Sequence, residues 1–209
     1  MCKKIIMKTL LHVGCGSQDK SSCLGFNNSD WNEIRLDINM EVNPDIVGTL
    51  TDMKSVKTNS VDAIYSAHNI EHIYLHEVPI ALNEFHRVLK DDGMVVLTCP
   101  DLQSISEAIA NDRLLEPLYN SSGGPISPID SIYGWREPIA QGNYFMAHKC
   151  GFTYSLLDSV FFQAGFKSRI GGKRPEAWDL FIVAFKKDKS DEELKTIATP
   201  FLPKPQFTA

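Results

Sequence analysis

The sequence predicts an α/β protein with a Rossmann-like open sheet of about seven strands, mostly parallel with a terminal antiparallel strand, and helices on both faces. Short apolar segments typical of buried strands alternate with amphipathic segments of helical period, and two strand-like segments close the pattern. A glycine-rich turn follows the first strand, at the edge where such sheets bind ligands. The 209 residues are enough for one domain with a full core.

The first half of the chain contains five predicted strands and one predicted helix. The strands are short apolar or alternating segments, at residues 9–15, 33–38, 45–50, 61–67 and 94–100. Residues 77–90 repeat apolar side chains at helical spacing, and Pro79 is tolerated in a first helical turn. We expect Asp91, Asp92 and Gly93 to end that helix.

The second half is less regular. Residues 113–147 hold most of the mid-chain glycine and proline, and we interpret them as an irregular insertion whose aromatic side chains either form an acceptor lid or anchor the insertion to the core. The other predicted elements are a helix at 102–112, a helix at 153–164, and strands at 167–174 and 179–187. These segments predict one domain over residues 1–187, with 188–209 as a peripheral polar tail.

Composition excludes several classes of protein. The net charge of -5 gives no overall basic field, so we expect neither a nucleic-acid nor a membrane partner. Five cysteines without a CxxC pair argue against a disulfide framework and fit a reducing compartment. The apolar N-terminal segment resembles a signal peptide, but Lys8 interrupts it and a buried first strand explains it better. We therefore expect a cytoplasmic protein.

The glycine turn and a carboxylate on the second strand predict a nucleoside site. Gly14 and Gly16 allow a tight turn that a ligand can approach closely, and Asp37, 21 positions after Gly16, can bind ribose hydroxyls. A dinucleotide such as NAD would require a glycine at position 19, where Asp19 adds negative charge, and a longer first crossover. A ligand without phosphates fits this turn better.

Five segments carry a resemblance to a known family: "LLHVGCGSQ", "IRLDI", "DIVGTLTDMKSVKTNSVDAIYSAHNIEHI", "ALNEFHRVLKDDGMVVLTCPD" and "HKCGFTYSLLDSVFFQAGF". Together they resemble the class I S-adenosylmethionine-dependent methyltransferases, in the small-molecule branch, from Thr9 to Lys187. The resemblance implies S-adenosylmethionine as cofactor and methyl transfer to a small-molecule or sugar-like acceptor.

The resemblance also implies the residues of the cofactor site. Gly14, Cys15 and Gly16 would flank the methionine part and the ribose. Asp37 would bind the ribose hydroxyls, and the residues expected beside the adenine are Ile38, Thr49 and Leu50. The residues expected to end the fourth strand beside the sulfonium are Ser66, Ala67 and His68.

Three positions depart from the family pattern. His12 and Thr49 stand where acids are common, and Gln18 replaces the third glycine. These departures leave open a methyltransferase-like domain that binds a nucleoside or a partner without catalysis. A nicotinamide-dependent oxidoreductase is a further alternative, which Asp19 disfavours.

Methyl transfer from a sulfonium is an in-line displacement, so a protein mainly supplies alignment and, for a hydroxyl or protonated amine, a base. Histidine titrates in the right range, and the candidates are His148, His68 and His72. We expect no metal. The alternative that His68, Glu71, His72 and His148 hold a divalent ion stays open, because their spacing resembles a motif of RNA-end and ubiquinone-pathway O-methyltransferases that has an acid in place of His68.

Overall fold

A computed structural model describes residues 7–121 and 123–201. The strands are β1 (Lys8–Val13), β2 (Trp31–Asp37), β3 (Ile46–Val47), β4 (Val61–Ala67), β5 (Leu89–Pro100), β6 (Tyr119–Ser121), β7 (Gly124–Ile126), β8 (Ser168–Arg174) and β9 (Asp179–Phe185). The α-helices are α1 (Val78–Val88), α2 (Leu102–Ala110), α3 (Pro128–Tyr133), α4 (Arg136–Ala140), α5 (Tyr154–Gln163) and α6 (Asp191–Ala198).

Seven strands form the main sheet in the order β3-β2-β1-β4-β5-β9-β8. The first five strands in this order, β3, β2, β1, β4 and β5, pair in parallel. Strand β9 lies between β5 and β8 and is antiparallel to both. The order reverses between β1 and β4, which is the topological switch point where such sheets bind ligands. The predicted fold class is confirmed.

Strand alternation divides the core between the two faces of the sheet. On one face, Leu11 and Val13 of β1 pack with α1 and α5, for example with Phe85 and Phe161. On the other face, Leu10 packs with the loop after β1 and with the end of the chain, through Phe26, Ala198 and Phe201. None of the helices formed by the described residues has the length and apolarity needed to cross a bilayer.

Two predicted boundaries are wrong. Helix α1 ends at Val88, and Asp91, Asp92 and Gly93 belong to β5, where the register with β4 shifts and the extra residues bulge out. Strand β3 has two residues rather than six, because the chain turns back through an isolated bridge between Thr49 and Asp52.

The segment after Lys187 also differs from a peripheral tail. Ser190 and Glu193 form a capping box that begins α6, and Ala198 and Phe201 are buried against the sheet. The polar composition of the segment conceals these two apolar contacts. Residues 202–209, and residues 1–6 at the start of the segment considered as a signal peptide, lie outside the described residues.

Candidate functional site

A cavity of about 440 Å³ opens at the carboxyl ends of β1, β2 and β4. The predicted cofactor residues that line it are Gly14, Gly16, Asp37, Ile38, Thr49, Leu50 and His68. Three others do not line it: Cys15 and Ser66 are buried, and Ala67 is half-buried behind the wall. His72, one of the predicted bases, lies in the lining, whereas His148 does not.

The glycine loop requires both glycines. Gly14 and Gly16 have φ of +69° and +52°, a region that residues with a Cβ rarely adopt. A Cβ on Gly14 would lie 2.2 Å from Cγ of Asn69, whose side-chain amide donates to the carbonyl of Val13. Asn69 also lines the cavity, and sequence reasoning missed it.

Asp37 joins the glycine loop to the second strand. Its Oδ2 accepts a hydrogen bond from the backbone N–H of Gly16 at 2.8 Å, and its Oδ1 accepts one from Asn39 at 2.8 Å. A carboxylate offers about four acceptor positions, so two remain for ligand hydroxyls. Asp37 lines the cavity, and its contact with a ribose stays a prediction.

Arg35 is the second residue that sequence reasoning missed. Its guanidinium donates to the carbonyls of Gly16 at 2.6 Å and Gln18 at 3.0 Å, in the glycine loop. It also donates to the carbonyls of Val42 and Asn43, in the loop after β2. Arg35 therefore holds two cavity-lining loops together. The alternation of β2 predicts the face of the sheet on which Arg35 lies. No sequence pattern predicts which backbone carbonyls point toward the Arg35 guanidinium.

The connection from β1 to β2 lacks the helix that a dinucleotide would use. Within residues 14–30 the structure has one 3-10 turn, Lys20–Ser22, and the Asp19 side chain caps it by accepting from the N–H of Ser21 at 2.8 Å. Diphosphates bind at helix N-termini, where several backbone N–H groups converge. The described loop offers no such end, and it adds a carboxylate.

His12, one of the three departures, does not face the cavity. It lies on the opposite face of β1, with Nδ1 2.8 Å from Oε1 of Glu33 and 3.7 Å from Sγ of Cys23. Burial lowers the pKa of His12 more than Glu33 raises it. Thr49 does line the cavity, but its hydroxyl already contacts the Thr51 hydroxyl and the N–H of Asp52.

His68 adopts φ of +48° at the end of β4 and points its ring between two carboxylates. Nε2 lies 3.3 Å from Oδ2 of Asp179, and Nδ1 lies 3.6 Å from Oε1 of Glu71. Burial lowers the pKa of His68, but Asp179 and Glu71 outweigh it and raise the pKa to about 9. With this pKa the ring is protonated at neutral pH, and the role of His68 as a base stays a prediction.

His72 and His148 contact each other and both lie close to Glu71. Their rings are T-shaped with centroids 4.8 Å apart, and Glu71, His72 and His148 each offer a ligand atom within 4.8 Å of the other two. Glu71 and His72 lie on a 3-10 turn at Ile70–His72. His148 comes from a distant segment that docks on this turn.

Two kinds of comparison bear on this site. A family model described as a methyltransferase domain matches residues 11–97, which include the glycine loop, Asp37 and the 3-10 turn. Solved structures share the fold over 85–87% of this chain, and several of them are described as S-adenosylmethionine-dependent methyltransferases. The chain has the fold of the class I methyltransferases, and residues 11–97 match a methyltransferase domain. The resemblance inferred from the sequence is confirmed.

Three of these structures show how far the likeness extends. A methyltransferase from Archaeoglobus fulgidus is 15% identical, with a TM-score of 0.57 over 85% of this chain and 86% of its own. The 1,6-didemethyltoxoflavin-N1-methyltransferase of Burkholderia thailandensis, solved with S-adenosylhomocysteine, is 14% identical over 87% of this chain and 72% of its own, with a TM-score of 0.53. The domain from the citrinin polyketide synthase is 14% identical, with a TM-score of 0.55 over 90% of this chain and 48% of its own.

At these identities the solved structures show the fold of the methyltransferase domain alone. The chain spans about half the length of the citrinin synthase domain chain. In a comparison with curated proteins, none matches this chain.

The predicted insertion supplies one edge of the cavity. Residues 143–146 line the cavity, although Tyr144 is 73% exposed and Phe145 is 52% exposed. The rest of the insertion is more ordered than expected, because it contains β6, β7, α3 and α4. Burial opposes ionisation of Asp130 in α3, but the Arg136 guanidinium at 2.6 Å lowers its pKa to about 2, and this ion pair joins α3 to α4 within the insertion.

Proposed function

We propose that the chain catalyses methyl transfer from S-adenosylmethionine to a small-molecule or sugar-like acceptor. In this reaction an oxygen or nitrogen of the acceptor bonds to the methyl carbon as the sulfonium–methyl bond breaks. The products are the methylated acceptor, S-adenosylhomocysteine and, from a hydroxyl or an ammonium acceptor, a proton. The methyl is already activated, so the protein mainly supplies alignment and removal of water.

The observation that carries this proposal is the bridge from Asp37 to the N–H of Gly16 at the wall of the cavity. It places a carboxylate with free acceptor positions beside a glycine loop that has no helix N-terminus for a diphosphate. A cavity of about 440 Å³ lies in the usual range for small-molecule sites. A nucleoside sulfonium satisfies these conditions better than NAD does.

The exposed aromatic side chains at the cavity mouth support an acceptor that enters beside the cofactor. Tyr144 and Phe145 line the cavity yet remain solvent-exposed, as expected of groups that a bound molecule would cover. The net charge of -5 supports a small acceptor rather than nucleic acid or a membrane surface. We place the protein in the cytoplasm because Cys15, Cys23, Cys99 and Cys150 are free thiols.

A hydroxyl or ammonium acceptor must lose a proton, and the geometry favours His72 and His148 over His68 for contact with it. The Nδ1 atoms of His72 and His148 lie 3.1 Å and 2.8 Å from the backbone carbonyls of Ala147 and Ser131. These contacts make Nδ1 the donor and leave Nε2 with a lone pair. Burial lowers the pKa of His148, which keeps its ring neutral.

The first test is calorimetric titration of the full chain with S-adenosylmethionine, S-adenosylhomocysteine and NAD. We expect micromolar binding of the two sulfur nucleosides and none of NAD. In Asp37→Asn we expect at least ~10-fold weaker binding, because a charged acceptor is worth roughly 1.5–3 kcal/mol. Asp188→Asn, at an exposed carboxylate outside the cavity, is the matched control.

The outcomes separate the alternatives. Binding of sulfur nucleosides followed by methylation in an acceptor screen supports the enzyme. Binding without turnover of any acceptor favours the noncatalytic domain, and preference for NAD favours an oxidoreductase. If wild type binds none of the three, the proposed cofactor site is refuted.

A further inference from the structure

We propose that His12, Cys23 and Glu33 bind one zinc ion that fixes the connection between β1 and β2. Each residue offers one ligand atom, and the three atoms lie within 4.8 Å of one another. None of the three residues lines the cavity described above. The proposed ion is structural, and its binding requires neither the cofactor nor the acceptor.

The first observation is that the Glu33 carboxylate has few partners for a group so little exposed. Its side chain is 12% exposed, and among the described residues its one hydrogen-bond partner is Nδ1 of His12, at 2.8 Å. A carboxylate offers about four acceptor positions, and one ring N–H satisfies only one of them. A largely buried carboxylate with a single donor favours a bound cation, because burying the charge without compensation is costly.

The second observation is the distance between the sulfur and the imidazole. Sγ of Cys23 lies 3.7 Å from Nδ1 of His12. Zinc bonds of about 2.3 Å to sulfur and about 2.1 Å to nitrogen, at a tetrahedral angle, separate these atoms by about 3.6 Å. The ion would replace the proton between Nδ1 and Oε1, which moves to Nε2, and would separate those two atoms to about 3.4 Å. Small side-chain rotations therefore suffice to form the site.

The ligand types indicate which ion the site would hold. A thiolate, an imidazole and a carboxylate are the ligands that zinc takes in proteins, whereas magnesium and calcium prefer oxygen ligands alone. Cys23 would bind as the thiolate, so its thiol proton passes to solvent when the ion enters. Cys23 is 1% exposed and His12 is 3% exposed, and both oxygens of Glu33 can bind, so four ligand atoms surround the ion without an open position.

The third observation is the place of Cys23 in the chain. It directly follows the 3-10 turn Lys20–Ser22, and its N–H donates to the carbonyl of Lys20 at 3.1 Å. His12 and Glu33 belong to β1 and β2, the adjacent parallel strands that this connection joins. An ion on all three residues would tie the middle of the connection to both of its flanking strands, as a metal clip that closes a loop does.

The experiment uses the full chain without an affinity tag, stripped with a chelator and titrated with Zn²⁺ by calorimetry and with Co²⁺ by absorption. We expect one ion per chain and a sulfur-to-cobalt charge-transfer band in the near ultraviolet. Cys23→Ser should abolish this band. Cys23→Ser and Glu33→Gln should each weaken zinc binding by about 100-fold or more, since loss of an outer-shell partner alone costs roughly 10–100-fold.

Two control variants separate this site from the other thiols and from the other group of metal-ligating side chains. Cys150→Ser removes a free, half-buried thiol that packs against the core on the opposite face of the sheet. Glu71→Gln removes the carboxylate of the group formed with His72 and His148. Both variants should bind zinc as wild type does. Thermal unfolding of each zinc-free protein shows whether the variant folds.

Trypsin measures the effect of the ion on the connection itself, because Lys20 lies within it. When free zinc is 100 times its dissociation constant, opening that releases the ion should be about 100-fold rarer, and cleavage after Lys20 slower by the same factor. Zinc should not protect Cys23→Ser. The proposal is overturned if wild type binds no zinc at one ion per chain, if Cys23→Ser retains the charge-transfer band, or if Glu71→Gln abolishes binding. Equal cleavage of wild type with and without zinc would overturn the structural role.

Discussion

The two glycines of the cofactor loop allow a matched test of the loop geometry. Gly14 and Gly16 both have positive φ, and alanine at either position carries the left-handed penalty of about 1–2 kcal/mol. They differ in the space around them. A Cβ on Gly14 would lie 2.2 Å from Cγ of Asn69, whereas a Cβ on Gly16 would meet nothing within 4 Å.

The contact between Asn69 and the Cβ of Gly14→Ala determines how much more this variant should destabilise the fold than Gly16→Ala does. To admit the new methyl, the Asn69 side chain must move and lose its hydrogen bond to the carbonyl of Val13, at 3.2 Å. That loss is worth about 1 kcal/mol, and the forced rotamer adds about 1 kcal/mol. We expect Gly14→Ala to lower the free energy of unfolding by about 3–4 kcal/mol, and Gly16→Ala by about 1–2 kcal/mol.

Urea denaturation followed by circular dichroism measures both values, and the midpoints are comparable if the slopes agree. Adding Asn69→Ala to each variant completes a double-mutant cycle. Asn69→Ala should reduce the cost of Gly14→Ala by about 1–2 kcal/mol and leave the cost of Gly16→Ala unchanged. Equal destabilisation by the two glycine variants, or no coupling between positions 14 and 69, would refute the reasoning.

Three further predictions follow from contacts described above. Arg35→Met should weaken S-adenosylhomocysteine binding by about 10-fold in calorimetry, because two cavity-lining loops lose charged donors worth about 1.5–3 kcal/mol each. Arg169→Met, a control outside the cavity, should leave this binding unchanged. Protonated His68 should stabilise the fold fully below pH 6.5, and this stabilisation should be lost as the pH rises through about 9. Thermal unfolding measured across this pH range should show the decline in wild type but not in His68→Asn. An identical decline in the variant would contradict the assignment. Phe201→Ala should lower the free energy of unfolding by about 3 kcal/mol in urea, and an unchanged midpoint would show that the chain end does not pack on Phe26.

The sequence predicted the sheet well because its information is local. The alternation in β1, β2 and β4 and the apolar core of β5 can be read from neighbouring residues, and the glycine turn marks the ligand-binding edge. Boundaries were less certain where tertiary pairing decides them. The acidic Asp91 and Asp92 suggest a helix end, yet pairing with β4 carries them into a bulged strand.

The residues of the candidate site likewise divide into those that local sequence predicts and those that tertiary contacts determine. Gly14, Gly16 and Asp37 were predictable because their spacing follows from a strand, a turn and a second strand. The role of Arg35 was not, since it acts through backbone carbonyls that carry no sequence signal. The raised pKa of His68 depends on Asp179, more than a hundred positions away, so residue type alone could not predict the direction of this shift.

The position of β9 has a consequence for the order in which the chain folds during synthesis. Among the described strands, β8 pairs with the main sheet only through β9, which follows it in the chain. Until β9 leaves the ribosome, the open edge of β5 has no partner and remains a surface on which other strands can add. A nascent chain that stalls before Phe185 would therefore expose this edge, and full synthesis closes it with an antiparallel pairing of seven residues along each strand.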